Sequence, residues 1–353
     1  MLWFSVMHLF RNRALASETK VLVAATANRL RLLDAYAFLK RKQIGSQVVI
    51  TMYHSVSVRK DGWCEPYTLS PRSFESQIRY FCENFEILSL DQLCENLQQG
   101  RSLPKKAVVI TFDDGYRDNY LYAFPILRKY SVPATFFLTT GHIGVSKLFW
   151  WERLGYLVHH TGAARLNLEE LGRYTLESAF DRRRASLMIT EKLKHFPEER
   201  KNGLIERLAD ICGVDIPADL GNQLMLSWEE AEEMSQHGAQ FGAHSVTHPI
   251  LTNLPLKQAK WEMFQSKEDV EKKLRKRVDF FSYPDGCFNS DIVEMASQNG
   301  FVAAVASDLS WITPRTNLYR LGRIAMIEDP NRSAAMLCGM WGDIQTALRA
   351  GKW

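Results

Sequence analysis

Short apolar runs rich in β-branched and aromatic residues alternate with longer amphipathic stretches along most of this chain. Seven runs have strand character: Gln47–Tyr53, Val108–Phe112, Pro133–Thr139, the run ahead of His244, Val278–Tyr283, Phe301–Ser307 and Leu321–Ile327. Between them the apolar spacing turns helical. Ser70-Pro71 opens one helix with Phe74, Ile78 and Phe81 on one face, and Pro71 stands where a first helical position tolerates proline. Ser89–Gln99 and Tyr116–Tyr130 predict two more. Ser227 with Glu230 three residues on is a capping box, opening a helix that ends at His237-Gly238. Pro255–Arg277, Asn289–Asn299 and Ser333–Arg349 complete the set. Strand–helix–strand alternation of this kind implies an α/β fold with parallel strands and helices outside.

Two segments break the alternation. Trp150 to Cys212 reads as mostly helical and charge-rich, so residues from about 150 to 225 are expected to form a helical insertion, acting as a substrate lid or as packing. Residues 1–46 form a basic, partly amphipathic helical arm, and residues 47–353 the main body. The arm carries eight Lys/Arg against two acids, a charge of +6, while the whole chain carries +4. The body is therefore nearly neutral, which argues against a nucleic-acid footprint. Met1–Phe10 is apolar and Ala14-Leu15-Ala16 resembles a cleavage site, but no positive charge precedes the run and Arg11 and Arg13 interrupt it. Arg29, Arg31 and Asp34 likewise make Val21–Leu39 a poor membrane span. These signs favour a cytoplasmic chain, possible at the inner face of the membrane through the arm, with export as the alternative. Six scattered cysteines with no Cys-x-x-Cys pair fit buried free thiols rather than a disulfide framework.

Candidate chemistry sits at strand ends. Val108–Phe112 runs straight into Asp113-Asp114-Gly115, and a later run delivers His244 and His248 within His244-Ser245-Val246-Thr247-His248-Pro249. A carboxylate with two imidazoles spaced i, i+4 is a donor set for a catalytic divalent ion with open positions. Thr-Phe-Asp-Asp-Gly followed by His-Ser-x-x-His-Pro resembles the first two motifs of the polysaccharide deacetylase family (NodB homology, carbohydrate esterase 4), over about Val48 to Met326. The resemblance implies a distorted (β/α)7 barrel. It also implies Asp114, His244 and His248 as metal ligands and Asp113 as the base acting on water. Zinc is the expected ion, with cobalt, nickel, manganese or iron as alternatives.

The remaining family motifs are altered. Ser282-Tyr283-Pro284-Asp285-Gly286 keeps the proline and glycine of the third motif, but Ser282 replaces the arginine that orients the base and Asp285 replaces an aromatic residue. The fourth motif survives as Asp308-Leu309-Ser310-Trp311, whose Trp311 could stack on a sugar ring. No histidine follows His248, so the family's usual general acid is missing. Tyr53-His54-Ser55-Val56 resembles instead the Tyr-His-x-Ile motif of the poly-N-acetylglucosamine deacetylase branch, which implies His54 as the acid or a partner of the site. Tyr283 and Trp151 are further candidates for substrate contact, and a backbone N–H near Tyr283 for an oxyanion donor. Together these features imply a metal-dependent hydrolase that removes N-acetyl groups from amino sugars of a cell-envelope or exported polysaccharide, or of its lipid-linked precursor. Deformylation, O-deacetylation, or a degenerate glycan-binding domain are the competing readings.

Overall fold

The computed structural model describes residues 25–26, 28–29, 31–58, 68–339 and 343. Most of the basic arm, Cys64 and the end of the closing helix lie outside the described residues. Helix α1 (Leu32–Ile44) leads into β1 (Gln47–Tyr53), followed by α2 (Pro71–Asn84), β2 (Glu86–Ile87), α3 (Leu90–Gln98), β3 (Lys106–Phe112), α4 (Phe124–Lys129) and β4 (Ala134–Leu138). After the insertion come α9 (Trp228–Gln236), β7 (Gln240–Ala243), α10 (Leu256–Leu274), β8 (Phe280–Ser282), α11 (Ser290–Gln298), β9 (Ala303–Ala306), β10 (Leu321–Gly322), β11 (Ile324–Ala325) and α12 (Pro330–Leu337). The insertion itself holds α5 (Trp150–His160), β5 (Arg165–Leu168), β6 (Gly172–Thr175), α6 (Ala179–Leu193), α7 (Glu198–Cys212) and α8 (Leu220–Leu224).

The main sheet is parallel throughout, in the order β10-β9-β8-β7-β4-β3-β1-β11, with β2 beside β3. Its central strands are buried on both faces, all seven residues of β1 among them, which is why they read as continuous apolar runs rather than alternating ones. Alternate residues divide the core. Val49, Tyr53, Val108, Ile110 and Phe136 pack with the outer helices, whereas Val48, Ile50, Val109, Phe137, Phe280 and Val305 form a second cluster. β10 and β11 are one strand interrupted at Arg323. Its first half pairs with β9 (Leu321 opposite Val305) and its second half with β1 (Thr51 opposite Ile324), so the break joins the two ends of a curled seven-strand sheet.

The expected helix starts at Ser70, Ser89 and Ser227 hold: Ser70 caps α2, and Ser89 and Ser227 each form a complete capping box, as does Ser178 at the start of α6. The insertion departs from the helical expectation: residues 165–175 form an antiparallel hairpin, β5–β6. Leu166, Leu168, Tyr174 and Leu176 alternate with polar residues there, a period-2 pattern that the surrounding helices obscure. The insertion has its own core, built on Leu154, Leu157, Ile189, Leu193, Leu204 and Leu208. The predicted helix over Tyr116–Tyr130 is a turn and one π-helical stretch before α4 begins. Among the described residues no helix is long and apolar enough to cross a membrane.

Candidate metal-dependent active site

The ends of β3 and β7 bring Asp113, Asp114, His244 and His248 into one buried cluster. β3 stops at Phe112, and Asp113 and Asp114 follow at the strand's C-terminal mouth. Asp114 has a left-handed backbone (φ 73°), and Gly115 continues the turn with φ 85°. The left-handed backbone at Gly115 is what favours glycine there, since a Cβ would meet only the movable ends of Ile143 and Leu138. Ser245 and His248 also have positive φ, 62° and 60°. Three strained non-glycine positions at or beside the candidate ligands are the kind of backbone tension that concentrates at functional sites.

Asp114 Oδ1 lies 3.4 Å from His244 Nε2 and 3.4 Å from His248 Nε2, and one ligand atom from each residue falls within 4.8 Å of the others. Those separations are longer than a good hydrogen bond, and Asp114 Oδ1 is buried without one. A buried carboxylate oxygen facing two imidazole nitrogens fits a cation between them. His244 Nδ1 sits 2.7 Å from the Ser282 carbonyl, so this nitrogen donates to it and Nε2 keeps its lone pair facing the cluster. Burial would raise the Asp114 pKa, but His244, His248 and His54 outweigh it and hold it below the usual carboxylate value. The three donors therefore suit a divalent ion such as zinc, with positions left open.

Asp113 is built for a different task. Both of its oxygens accept from Arg323: Nη1 donates to Oδ1 at 2.7 Å and Nη2 to Oδ2 at 2.6 Å. Arg323 is fully buried in the break between β10 and β11. Its other donors are satisfied by Ala306 O, Thr111 Oγ1 and Ser282 Oγ, and the guanidinium lies over the Phe137 ring. Ser282 Oγ in turn donates to Asp113 Oδ2 at 3.2 Å. Burial alone would push the Asp113 pKa up; Arg323 and His244 reverse this and pull it well below the carboxylate range. The guanidinium missing at position 282 is thus supplied by the last strand. A lone arginine in the apolar run Leu321–Ile327 was the available signal.

His54, just past β1, is near enough to the cluster to feel the charges of Asp114 and Asp113. Burial lowers its pKa, while Asp114 and Asp113 pull the other way and Arg323 and His244 add to the lowering. The His54 carbonyl is held by Asn119 Nδ2 at 2.8 Å, which ties it to the loop after Asp114. Trp151 also lies beside the site. Its ring meets His248 edge-on at 4.8 Å, stacks on Phe149 at 4.3 Å, and donates through Nε1 to the Tyr116 hydroxyl. Phe149 stacks on His142, so an aromatic ladder backs His248.

Two candidate contacts are corrected. Tyr283 is fully buried, with its hydroxyl on the Tyr319 carbonyl and its N–H on the Val305 carbonyl, so neither group faces a substrate. Trp311 packs beneath α12, donating from Nε1 to the Leu337 carbonyl, with Lys40 over its ring. Both are core aromatics because the loops carrying them fold back on the sheet. Asp285, at the position of the family's aromatic, pairs with Lys194 of the insertion at 2.9 Å and ties α6 to the rim.

The sequence profile of polysaccharide deacetylases matches residues 100–304, more than half of the chain. The chain belongs to the polysaccharide deacetylase family. It is 23% identical over 302 residues to the polysaccharide deacetylase homologue YxkH of Bacillus subtilis, covering 85% of this chain and 78% of that one. A shorter stretch of 79 residues is 40% identical to the poly-β-1,6-N-acetyl-D-glucosamine N-deacetylase of Staphylococcus aureus, 22% of this chain and 27% of that protein. The fold resembles the Streptococcus pyogenes deacetylase PplD (TM-score 0.56, 21% identity, 82% and 97% of the two chains). It also resembles IcaB from Ammonifex degensii (TM-score 0.54, 19% identity, 83% and 97%).

Within this deacetylase-family site, Glu262 of α10 holds the segment between the two histidines. Its buried carboxylate accepts from Val246 N (2.8 Å), Thr247 N (2.9 Å) and Thr247 Oγ1 (2.6 Å). Glu262→Gln keeps the size but weakens these bonds, and we expect it to lower zinc affinity by roughly tenfold, the low end for residues that orient ligands. Competition with a chromogenic chelator measures this, and unchanged affinity would contradict the role.

His142 gives a pH prediction. Burial lowers its pKa to about 4, below the value of about 6.5 expected in the unfolded chain. Between those values the unfolded chain binds the extra proton, so the stability contribution is complete above pH 6.5 and shrinks as pH falls toward 4. The melting temperature of the metal-free protein is expected to drop through that window, and His142→Gln to flatten the slope. An equally steep slope in the variant would remove His142 as a source.

Proposed function

We propose that this protein is a metal-dependent deacetylase acting on N-acetylated amino sugars of a polysaccharide or its lipid-linked precursor. The carrying observation is the separation of roles between adjacent carboxylates: Asp114 faces two imidazoles, while Asp113 is clamped by a buried arginine. Homology to a poly-β-1,6-N-acetylglucosamine N-deacetylase over part of the chain supports an amino-sugar substrate. A divalent ion held by Asp114, His244 and His248 would supply Lewis acidity and lower the pKa of a water. Asp113, kept ionised and in place by Arg323, accepts the proton of the attacking water. In this reading His54 hands on to the departing amine nitrogen the proton that Asp113 took from the water, so that the C–N bond breaks to free amine and acetate. Trp151 walls the cleft beside His248.

The test is acetate release from β-1,6-linked N-acetylglucosamine oligomers. Release is expected, abolished by a chelator and restored by zinc or cobalt. His54→Ala should lower turnover by about 10²-fold or more with metal content unchanged, the usual size of a lost general acid. No acetate from these or other N-acetylated glycans by the metal-loaded protein would overturn the proposal, and full activity of the variant would remove His54 from the mechanism.

A further inference from the structure

Helix α10 has two faces of opposite character. One buries Ala259, Glu262, Met263, Ser266 and Val270 against the barrel, and it is this face that holds the segment between His244 and His248. The opposite face is open to solvent over the first half of the helix, before Lys267 and Glu271 meet the segment at Val278. Leu256 is 51% exposed, Trp261 51% and Phe264 43%, with Lys257 and Lys260 exposed among them. At 100° per residue these five positions fall within an arc of about 140°, centred opposite Glu262. Neither lysine makes an ion pair among the described residues; the two acids on this arc, Glu268 and Glu271, lie further along the helix, away from the rim, and Glu271 is paired with Lys267 at 2.9 Å. Solubility explains the lysines but not a half-exposed tryptophan flanked by phenylalanine and leucine.

We infer that the outer face of α10 docks on an anionic lipid surface. Apolar side chains with an aromatic anchor, interleaved with lysines on a helix lying along the surface, are the composition of interfacial helices. The charge decides between occupants. A second copy offers these two lysines only Glu268 as an acid on this face not already paired with a lysine, since Glu271 is held by Lys267, whereas acidic headgroups neutralise both. The helix begins just beyond the loop carrying His248, so docking would bring the rim of the active site to the lipid. This surface is distinct from the N-terminal arm and from the catalytic residues.

Cosedimentation of the full chain tests it, with vesicles of phosphatidylcholine alone and with about one-third phosphatidylglycerol. Wild type is expected to partition onto the anionic vesicles. Lys257→Glu with Lys260→Glu, and separately Trp261→Ser with Phe264→Ser, should each lower that partitioning by about tenfold or more. Melting temperature and acetate release from soluble oligomers should stay at wild-type values, which separates this inference from the catalytic one. Either variant pair binding the anionic vesicles as wild type does would overturn it. So would wild type that stays in the supernatant with both vesicles, whether monomeric or self-associated in sedimentation velocity.

Discussion

Arg323→Ala is expected to lose both activity and about 3–5 kcal/mol of stability, the usual cost of removing one partner of a buried ion pair. The reasoning is local. Arg323 is fully buried and places every N–H on an acceptor, two of them on the oxygens of Asp113. Its removal leaves an ionised, buried carboxylate without its counter-charge, with a void over Phe137 where the guanidinium lay. Arg323→Lys should be milder in folding but still slow in turnover, because a point-like ammonium cannot hold two carboxylate oxygens at once. Adding Asp113→Asn to Arg323→Ala should recover part of the lost stability, since the stranded charge goes with it, and none of the activity. Chemical denaturation with acetate release reads all three. If Arg323→Ala folds and turns over normally, Asp113 is not oriented by this contact.

Much of this site was legible in the chain. Asp113-Asp114-Gly115 and the two histidines stand at the ends of strands whose apolar runs are unmistakable, and α/β folds gather chemistry at that edge. The parallel direction of the strands followed from the alternation of runs, because parallel neighbours need helical crossovers. Arg323 was not foreseen, since its partner lies 210 residues earlier and the pairing depends on the last strand breaking between β9 and β1. Glu262 escaped for a similar reason. On a charged helix it looks like a solvent-facing residue, and only the helix's rotation turns it inward. Tyr283 and Trp311 erred the other way: aromatics beside motif residues suggest sugar platforms, yet their polar tips found backbone carbonyls inside the fold. The β5–β6 hairpin was hidden because eleven residues of alternation lie between stronger helical signals.

The second large effect concerns the ligands themselves. Asp114 Oδ1 faces both imidazoles, and the other carboxylate there, Asp113, already has both oxygens on Arg323. Asp114→Ala therefore removes the anionic ligand and leaves two neutral imidazoles, and His248→Ala leaves one imidazole and a carboxylate. Neither pair should retain an ion through dialysis. Binding requires the deprotonated donors, so occupancy of the wild type should also fall as pH drops and the imidazoles protonate.

Metal stoichiometry by elemental analysis, on the wild type, Asp114→Ala and His248→Ala, is the most direct measurement of the central claim. The account predicts about one divalent ion per wild-type chain and essentially none in either variant, with all three chains folded. A folded wild type that holds no ion even after incubation with zinc or cobalt, or variants that hold as much as the wild type, would contradict it.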